Sequence, residues 1–278
     1  MSTHRFTQVD VFTDQPLRGN PLAVVHGADG LSDAQMQRFA HWTNLSETTF
    51  LLQPTDPAAD YRVRIFTPNT ELPFAGHPTL GSCHAWLRAG GTPKVRGMVV
   101  QQCGAGLVRV RQGGDAPAFA APAAQMEAVD EGTLTAVLAS LGLRREQVRA
   151  SQWMRIGPRW LGLLLDSAES VLAVRPDHAT LKHLADVGLV GPHAPGSECQ
   201  FELRAFAPAD GIAEDPVTGS LNAGVAQWLI GAGHAPTRYL AAQGQCLGRA
   251  GRIHIEQEGR TVWVGGHSVS CIEGQVTL

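Results

Sequence analysis

Two stretches of this chain carry a helical pattern with no charge on it. The first is Phe74-Ala75-Gly76-His77-Pro78-Thr79-Leu80-Gly81-Ser82-Cys83-His84-Ala85-Trp86-Leu87, a glycine turn feeding a helix without Asp, Glu, Lys or Arg. The second begins Asp215-Pro216-Val217-Thr218-Gly219-Ser220-Leu221-Asn222 and runs uncharged from Pro216 to Trp228 and beyond. A surface helix shows a polar face, so a helix without one is buried. Both stretches are far too short to span a membrane. The chain must therefore cover two interior helices, each starting at a glycine turn. The first N–H groups of a helix have no partner inside it and favour an anion.

The bulk of the chain fits that demand. Its 278 residues suffice for two modest domains or one large one, and 44% hydrophobic content supplies a core. Charged residues make up only 17%, below the usual figure of about 25%, as buried helices require. A net charge of -3 without a basic run excludes a nucleic-acid footprint and a polybasic membrane anchor. Residues 1–10 lack the apolar core of a signal peptide. Five scattered cysteines without a CxxC pair predict a reducing, cytoplasmic setting.

Alternation predicts strands at 6–12, 22–25, 48–52 and 61–66, with a capping box at Ser32 and Gln35 opening a helix that runs to about Trp42. Further strands are expected at 94–100 and 107–111. The Gly-, Ala- and Pro-rich segment 112–130 reads as a linker between halves. Beyond it come a helix at 132–141, strands at 152–156 and 160–165, a helix from Asp177 to about Val187, and a strand at 201–206. Strands at 252–256, 261–265 and 268–272 close the chain. Both halves then run from an alternating strand through Phe-x-Pro and a glycine turn into an uncharged helix that ends near Trp-Leu. Phe66-Thr67-Pro68 matches Phe206-Ala207-Pro208, and Trp86-Leu87 matches Trp228-Leu229. In between, two registers are open: His77-Pro78 on Asp215-Pro216, or Ala75-Gly76-His77 on Thr218-Gly219-Ser220. The organisation expected is an N-terminal half over 1–120 with a central helix near 77–89, and a C-terminal half over 121–266 with one near 219–231. The strand near 267–278 returns to the first half.

Few residues here can carry chemistry. Glu47 sits among Leu45, Phe50, Leu51 and Leu52; a carboxyl group in apolar surroundings can act as a general acid or base near neutrality. Most glutamates are exposed, so a solvated Glu at a strand start is the simpler reading of the residue alone. His77 precedes Pro78, which suits a first helical position and would make His77 the cap, a place histidine does not favour. Asp215 before Pro216 reads equally as a helix cap and as a carboxylate with a task. Gly76 and Gly219 allow close approach of a ligand, and Thr218 and Ser220 can donate hydrogen bonds to it or cap the helix. Gly104-Ala105-Gly106 and Gly231-Ala232-Gly233 lack the third glycine of a dinucleotide fingerprint. His77, Cys83 and His84 lack metal-ligand spacing, so no metal is expected.

Taken together, Gly19-Asn20-Pro21-Leu22-Ala23-Val24, Asn44-Leu45-Ser46-Glu47-Thr48, Phe66-Thr67-Pro68, Glu71-Leu72-Pro73-Phe74-Ala75-Gly76-His77-Pro78-Thr79 and Glu214-Asp215-Pro216-Val217-Thr218-Gly219-Ser220 resemble the signature blocks of the PhzF (phenazine biosynthesis-like) family, in the family's order and over essentially the whole chain. That family belongs to the diaminopimelate-epimerase-like superfamily. The resemblance implies an α+β fold of two similar halves, each a curved, mostly antiparallel sheet wrapped round a central buried helix. It implies a homodimer without a cofactor, and a small-molecule carboxylate substrate. The family's catalytic Glu, His and Asp fall on Glu47, His77 and Asp215. Its substrate-binding positions fall on Gly76, Gly219, Ser220, Thr218, Asn20 and Ser46.

Superfamily epimerases carry one cysteine before each glycine turn, where this chain has Ala75 and Thr218, so a two-thiol racemase is not expected. The family's Gly-Pro-Arg-His is Gly157-Pro158-Arg159-Trp160 here, which points to an altered pocket. The function implied is a cofactor-independent isomerase that moves a proton between carbons of a small cyclic or unsaturated carboxylate, as the dihydro-hydroxyanthranilate isomerase of the family does. An epimerase or lyase on a hydroxy- or amino-acid, or a silent ligand-binding relative, is the alternative.

Overall fold

The computed structural model describes residues 2–278, which divide into two compact units. One comprises the chain up to Ala121 together with Trp263–Leu278; the other is Pro122–Val262.

In the first unit the order is β1 (Thr3–Val11), β2 (Asn20–Val25), α1 (Asp33–Thr43), β3 (Glu47–Leu52), β4 (Tyr61–Phe66), β5 (Glu71–Leu72), α2 (Gly76–Arg88), β6 (Met98–Cys103), β7 (Gly106–Arg111) and β8 (Ala118–Ala120). β1 is antiparallel to both β2 and the strand Ser268–Thr277, and β2 is parallel to β3. β3 is antiparallel to β4, and β4 is parallel to β6. β6, β7 and β8 then form an antiparallel run, and residues 263–265 pair with β8. The helix α2 has buried positions all round: Gly76 through Cys83 and Ala85. It lies so close to β1 and β2 that a Cβ on Gly81 would stand 2.6 Å from Leu22 Cδ2 and 2.8 Å from Val11 Cγ2. On the other face α1 covers a core of Val25, Met36, Phe39, Phe50 and Phe66. Its start is the capping box read from the sequence, with Ser32 accepting from Gln35 N.

In the second unit the order is β9 (Gln125–Glu127), α3 (Glu131–Leu141), β10 (Val148–Arg155), β11 (Arg159–Leu165), α4 (Ala168–Ala173), α5 (His178–Leu181), β12 (Asp186–Pro192), β13 (Phe201–Ala207), β14 (Ile212–Asp215), α6 (Gly219–Gly231), β15 (Arg238–Gln243) and β16 (Gly251–Glu258). The pairing plan repeats that of the first unit. β10 and β11 are antiparallel, β11 and β12 parallel, β12 and β13 antiparallel, β13 and β15 parallel, β15 and β16 antiparallel. α6 is buried as α2 is, and both helices have 13 residues. α3, α4 and α5 cover the other face, over Leu134, Leu138, Leu163, Leu189 and Phe206. The two helices start at Gly76 and Gly219, which settles the open register: Ala75-Gly76-His77 lies on Thr218-Gly219-Ser220.

Several expectations need correction. The segment 112–130 is not a plain linker, since it holds β8 and β9, and Phe119 is fully buried against the Phe74 ring. The helix expected from Asp177 to Val187 lasts one turn. Asp177 caps it, but Val187-Gly188-Leu189-Val190 forms the buried strand β12 between β11 and β13. A short apolar run with β-branched residues has no period that separates these options. α4 has no counterpart among the expected elements, and the strand expected at 94–100 lies at Met98–Cys103. The residue before α2 is Ala75, with no side-chain cap, so His77 is the second helical residue and Pro78 the third. Likewise Thr218, not Asp215, occupies the cap position of α6.

Candidate active site

Glu47 is the first residue of β3, paired with Leu22 of β2 and followed by fully buried Thr48 and Thr49. Strand alternation turns Glu47 and Thr49 to the α2 side, where Ser82 donates to Thr49 Oγ1 at 2.9 Å. Glu47 Oε2 lies 3.5 Å from His77 Nδ1, with the two side chains 14% and 3% exposed. Asn20, fully buried at the start of β2, presents Nδ2 to the same ring nitrogen at 3.4 Å. The turn that delivers Asn20 is held by Asp10, whose Oδ2 accepts from Arg18 N at 2.8 Å and Gly19 N at 3.0 Å. Gly19 is required there, because a Cβ would meet the Val11 carbonyl oxygen at 2.1 Å. Ser46 directly precedes Glu47 and is half-buried.

Burial pushes the His77 imidazole down to about 3, so the ring is neutral. An amide nitrogen can only donate, so the contact with Asn20 makes Nδ1 an acceptor and places the ring proton on Nε2. Nε2 is buried and has no hydrogen-bond partner among the described residues. With Gly76 and His77 as the first two helical residues, and no acidic residue in that turn, their N–H groups carry the positive end of α2. The same Nδ1 faces the Glu47 carboxyl. One buried corner thus joins a carboxyl group, a neutral imidazole and a helix N-terminus.

In the second unit, Asp215 ends β14 and is 7% exposed. Thr218 Oγ1 donates to Asp215 Oδ2 at 2.6 Å. Glu214, next to it, is held by Arg204 through two bonds of 2.9 and 2.8 Å, and Arg204 also donates to the carbonyls of Val171 and Val174. Ser220, the second residue of α6, accepts from the indole nitrogen of Trp160 at 3.2 Å. The predicted residues therefore fall into two groups. Glu47, His77, Gly76 and Asn20 meet at the start of α2, with Ser46 beside them; Asp215, Thr218, Gly219 and Ser220 gather at the start of α6.

The repeated topology adds a residue that sequence reasoning misses. Thr48 faces Phe66 as Val187 faces Phe206, and Glu47 pairs with Leu22 as Asp186 pairs with Trp160. Asp186 is thus the second unit's counterpart of Glu47. Burial, then the charge of Asp210, pushes its carboxyl up to about 6. Asn222 and Gln243 are equally absent from the residues singled out in the sequence. For Gln243 the available signal is a lone amide ending the strand Tyr239-Leu240-Ala241-Ala242. Among the described residues no group of three or more His, Cys, Asp or Glu is arranged to hold a metal ion, and no helix is long and apolar enough to cross a membrane.

The chain is 35% identical to the trans-2,3-dihydro-3-hydroxyanthranilate isomerase of Pseudomonas aeruginosa, over 99% of this chain and 100% of that protein. It is 36% identical to antisense-enhancing sequence 1 of Schizosaccharomyces pombe, over 99% of each. The crystal structure of a PhzF-family phenazine biosynthesis protein from Bacillus anthracis superposes with a TM-score of 0.85 at 22% identity, covering 100% of both chains, which shows the diaminopimelate-epimerase-like fold. The profile of the phenazine biosynthesis-like proteins matches residues 9–274. With its signature residues gathered at two matching helix starts, the chain belongs to the PhzC-PhzF, phenazine biosynthesis-like, family.

Proposed function

We propose that this protein is a cofactor-independent isomerase that moves a proton between two carbons of a small cyclic or unsaturated carboxylate. The observation that carries the reading is the Glu47 carboxyl 3.5 Å from a neutral, buried His77 at the first turn of α2. Glu47 takes a proton from one carbon and returns it to another, with no net gain or loss of atoms or electrons. His77 Nδ1 faces the Glu47 carboxyl, and Nε2–H donates to the charge developing on the substrate. The Gly76 and His77 N–H groups hold the carboxylate. Asp215, Thr218, Gly219 and Ser220 hold further polar groups, and Asn20 and Ser46 support the corner round Glu47. Ala75 and Thr218 precede the two helices, and neither can act as a thiol base. The relatives named for dihydro-hydroxyanthranilate isomerisation make that compound the first substrate to try.

The test follows trans-2,3-dihydro-3-hydroxyanthranilate by proton NMR in deuterated water. The native protein should move the double bond, with deuterium entering the receiving carbon to the extent that the Glu47 carboxyl exchanges with solvent between the two transfers. Glu47→Gln should lose about 10²–10⁴-fold in kcat, the usual contribution of a positioned acid–base group. A variant that exchanges at the native rate sinks the assignment. The reading also includes a homodimer in the cytoplasm; sedimentation equilibrium giving a mass of one chain would refute the dimer.

A further inference from the structure

Gln243 ends β15 and is 1% exposed. Its amide uses every hydrogen-bonding position it has. Oε1 accepts from Thr218 N at 3.0 Å and from Asn222 Nδ2 at 2.9 Å. Nε2 donates to the Asp215 carbonyl at 3.1 Å and to Thr218 Oγ1 at 2.9 Å. Asn222 Nδ2 also donates to the Thr218 carbonyl at 2.9 Å. The amide can point only one way. Turned over, its NH2 would face the Thr218 and Asn222 donors, and its oxygen would face the Asp215 carbonyl oxygen.

A hydroxyl has a single hydrogen. Thr218 Oγ1 receives a hydrogen bond from Gln243, which leaves its own hydrogen free for Asp215 Oδ2, to which it donates at 2.6 Å. We infer that Gln243 is a positioning residue that, acting through the Thr218 hydroxyl, holds Asp215 with Oδ2 as an unprotonated hydrogen-bond acceptor. The inference rests on the proposed role of Asp215 and sharpens it. Asp215 held this way does not deliver a proton from Oδ2. It offers its substrate an acceptor, which suits an amine or hydroxyl group in addition to the carboxylate. The same amide fixes the Thr218 N–H and the start of α6, so a single side chain sets both the helix cap and the carboxylate.

Gln243→Glu tests this with little change of shape. A carboxylate cannot donate, so the Thr218 hydroxyl turns toward it and leaves Asp215. With trans-2,3-dihydro-3-hydroxyanthranilate, kcat should fall about tenfold or more, as expected for a lost bond to a charged group. Thr218→Val, which removes the hydroxyl, should fall similarly, and the double variant should fall no further than either single one. Gln243→Met, of similar size, repeats the test should the buried glutamate unfold the chain; circular dichroism reports folding. Native kcat in Gln243→Glu and Gln243→Met, or losses that multiply with Thr218→Val, overturn the inference while leaving the reading of Asp215 standing. Native kcat in Asp215→Asn overturns that reading and takes this inference with it.

Discussion

Acidification should unfold this protein partly through His77. Burial holds the imidazole at about 3, against 6.5 for an unperturbed ring. The folded value lies below the unfolded one, so between these pH values the unfolded chain binds more protons. His77 therefore contributes its full share above pH 6.5, and stability is lost as the pH falls toward about 3. For one such site, the cost relative to pH 7.5 is about 1.4 kcal/mol at pH 5.5 and about 2.7 kcal/mol at pH 4.5, at about 1.36 kcal/mol per unit. The ring is 3% exposed, so solvent screening takes little from this. Urea unfolding of the native protein and of His77→Gln at pH 7.5 and 4.5 measures it. The glutamine cannot titrate, so the variant should lose about 2–3 kcal/mol less across that interval. Comparing intervals cancels most other groups, including His26, which burial pushes down to about 4. Equal losses in the two proteins would refute the reasoning. So would an NMR titration of the His77 ring with a midpoint near 6.5.

Asp186 should act in the opposite sense. Its folded value of about 6 lies above the 3.8 of an unperturbed Asp, so its penalty is absent in acid, grows as the pH rises from 3.8 to about 6 and is full above that. Allowing for partial exposure, Asp186→Asn should stabilise the chain by about 1–2 kcal/mol at pH 7.5 and by nothing at pH 3.5, measured by urea unfolding. Gly81→Ala should lower the melting temperature despite alanine's better helix propensity of about 1 kcal/mol, because the added methyl group drives α2 off β1 and β2 at a cost of about 1–3 kcal/mol. A higher melting temperature would show that the helix has room to shift.

The uncharged helices are legible in the sequence because burial all round leaves no polar face to hide. The capping box at Ser32 is legible because it is a local signal. The family blocks point to the candidate site residues, but not to what surrounds them. His77 reads as a cap when Pro78 is taken as the first helical position, yet the helix starts one glycine earlier. No local rule reveals that, because Ala75 leaves the start of α2 without a side-chain cap. Asp177 announces a helix correctly, but Val187-Gly188-Leu189-Val190 becomes a strand only through its neighbours β11 and β13. Gln243 and Asp186 stay hidden for the same reason. Their meaning lies in strand register and in bonds across about 25 residues or more, which a linear reading does not contain.

The strand Ser268–Thr277 pairs along all of β1, from Thr3 to Val11. The ribosome therefore makes one half of that pairing early and the other half only after Pro122–Val262 has been made. Until then β1 has an open edge, and the unit that carries Glu47 and His77 waits for its last strand. The second unit, contiguous in sequence, can finish first. A nascent chain of this protein should thus complete last the unit that holds Glu47 and His77, and a tag fused after Leu278 sits beside the strand that closes it.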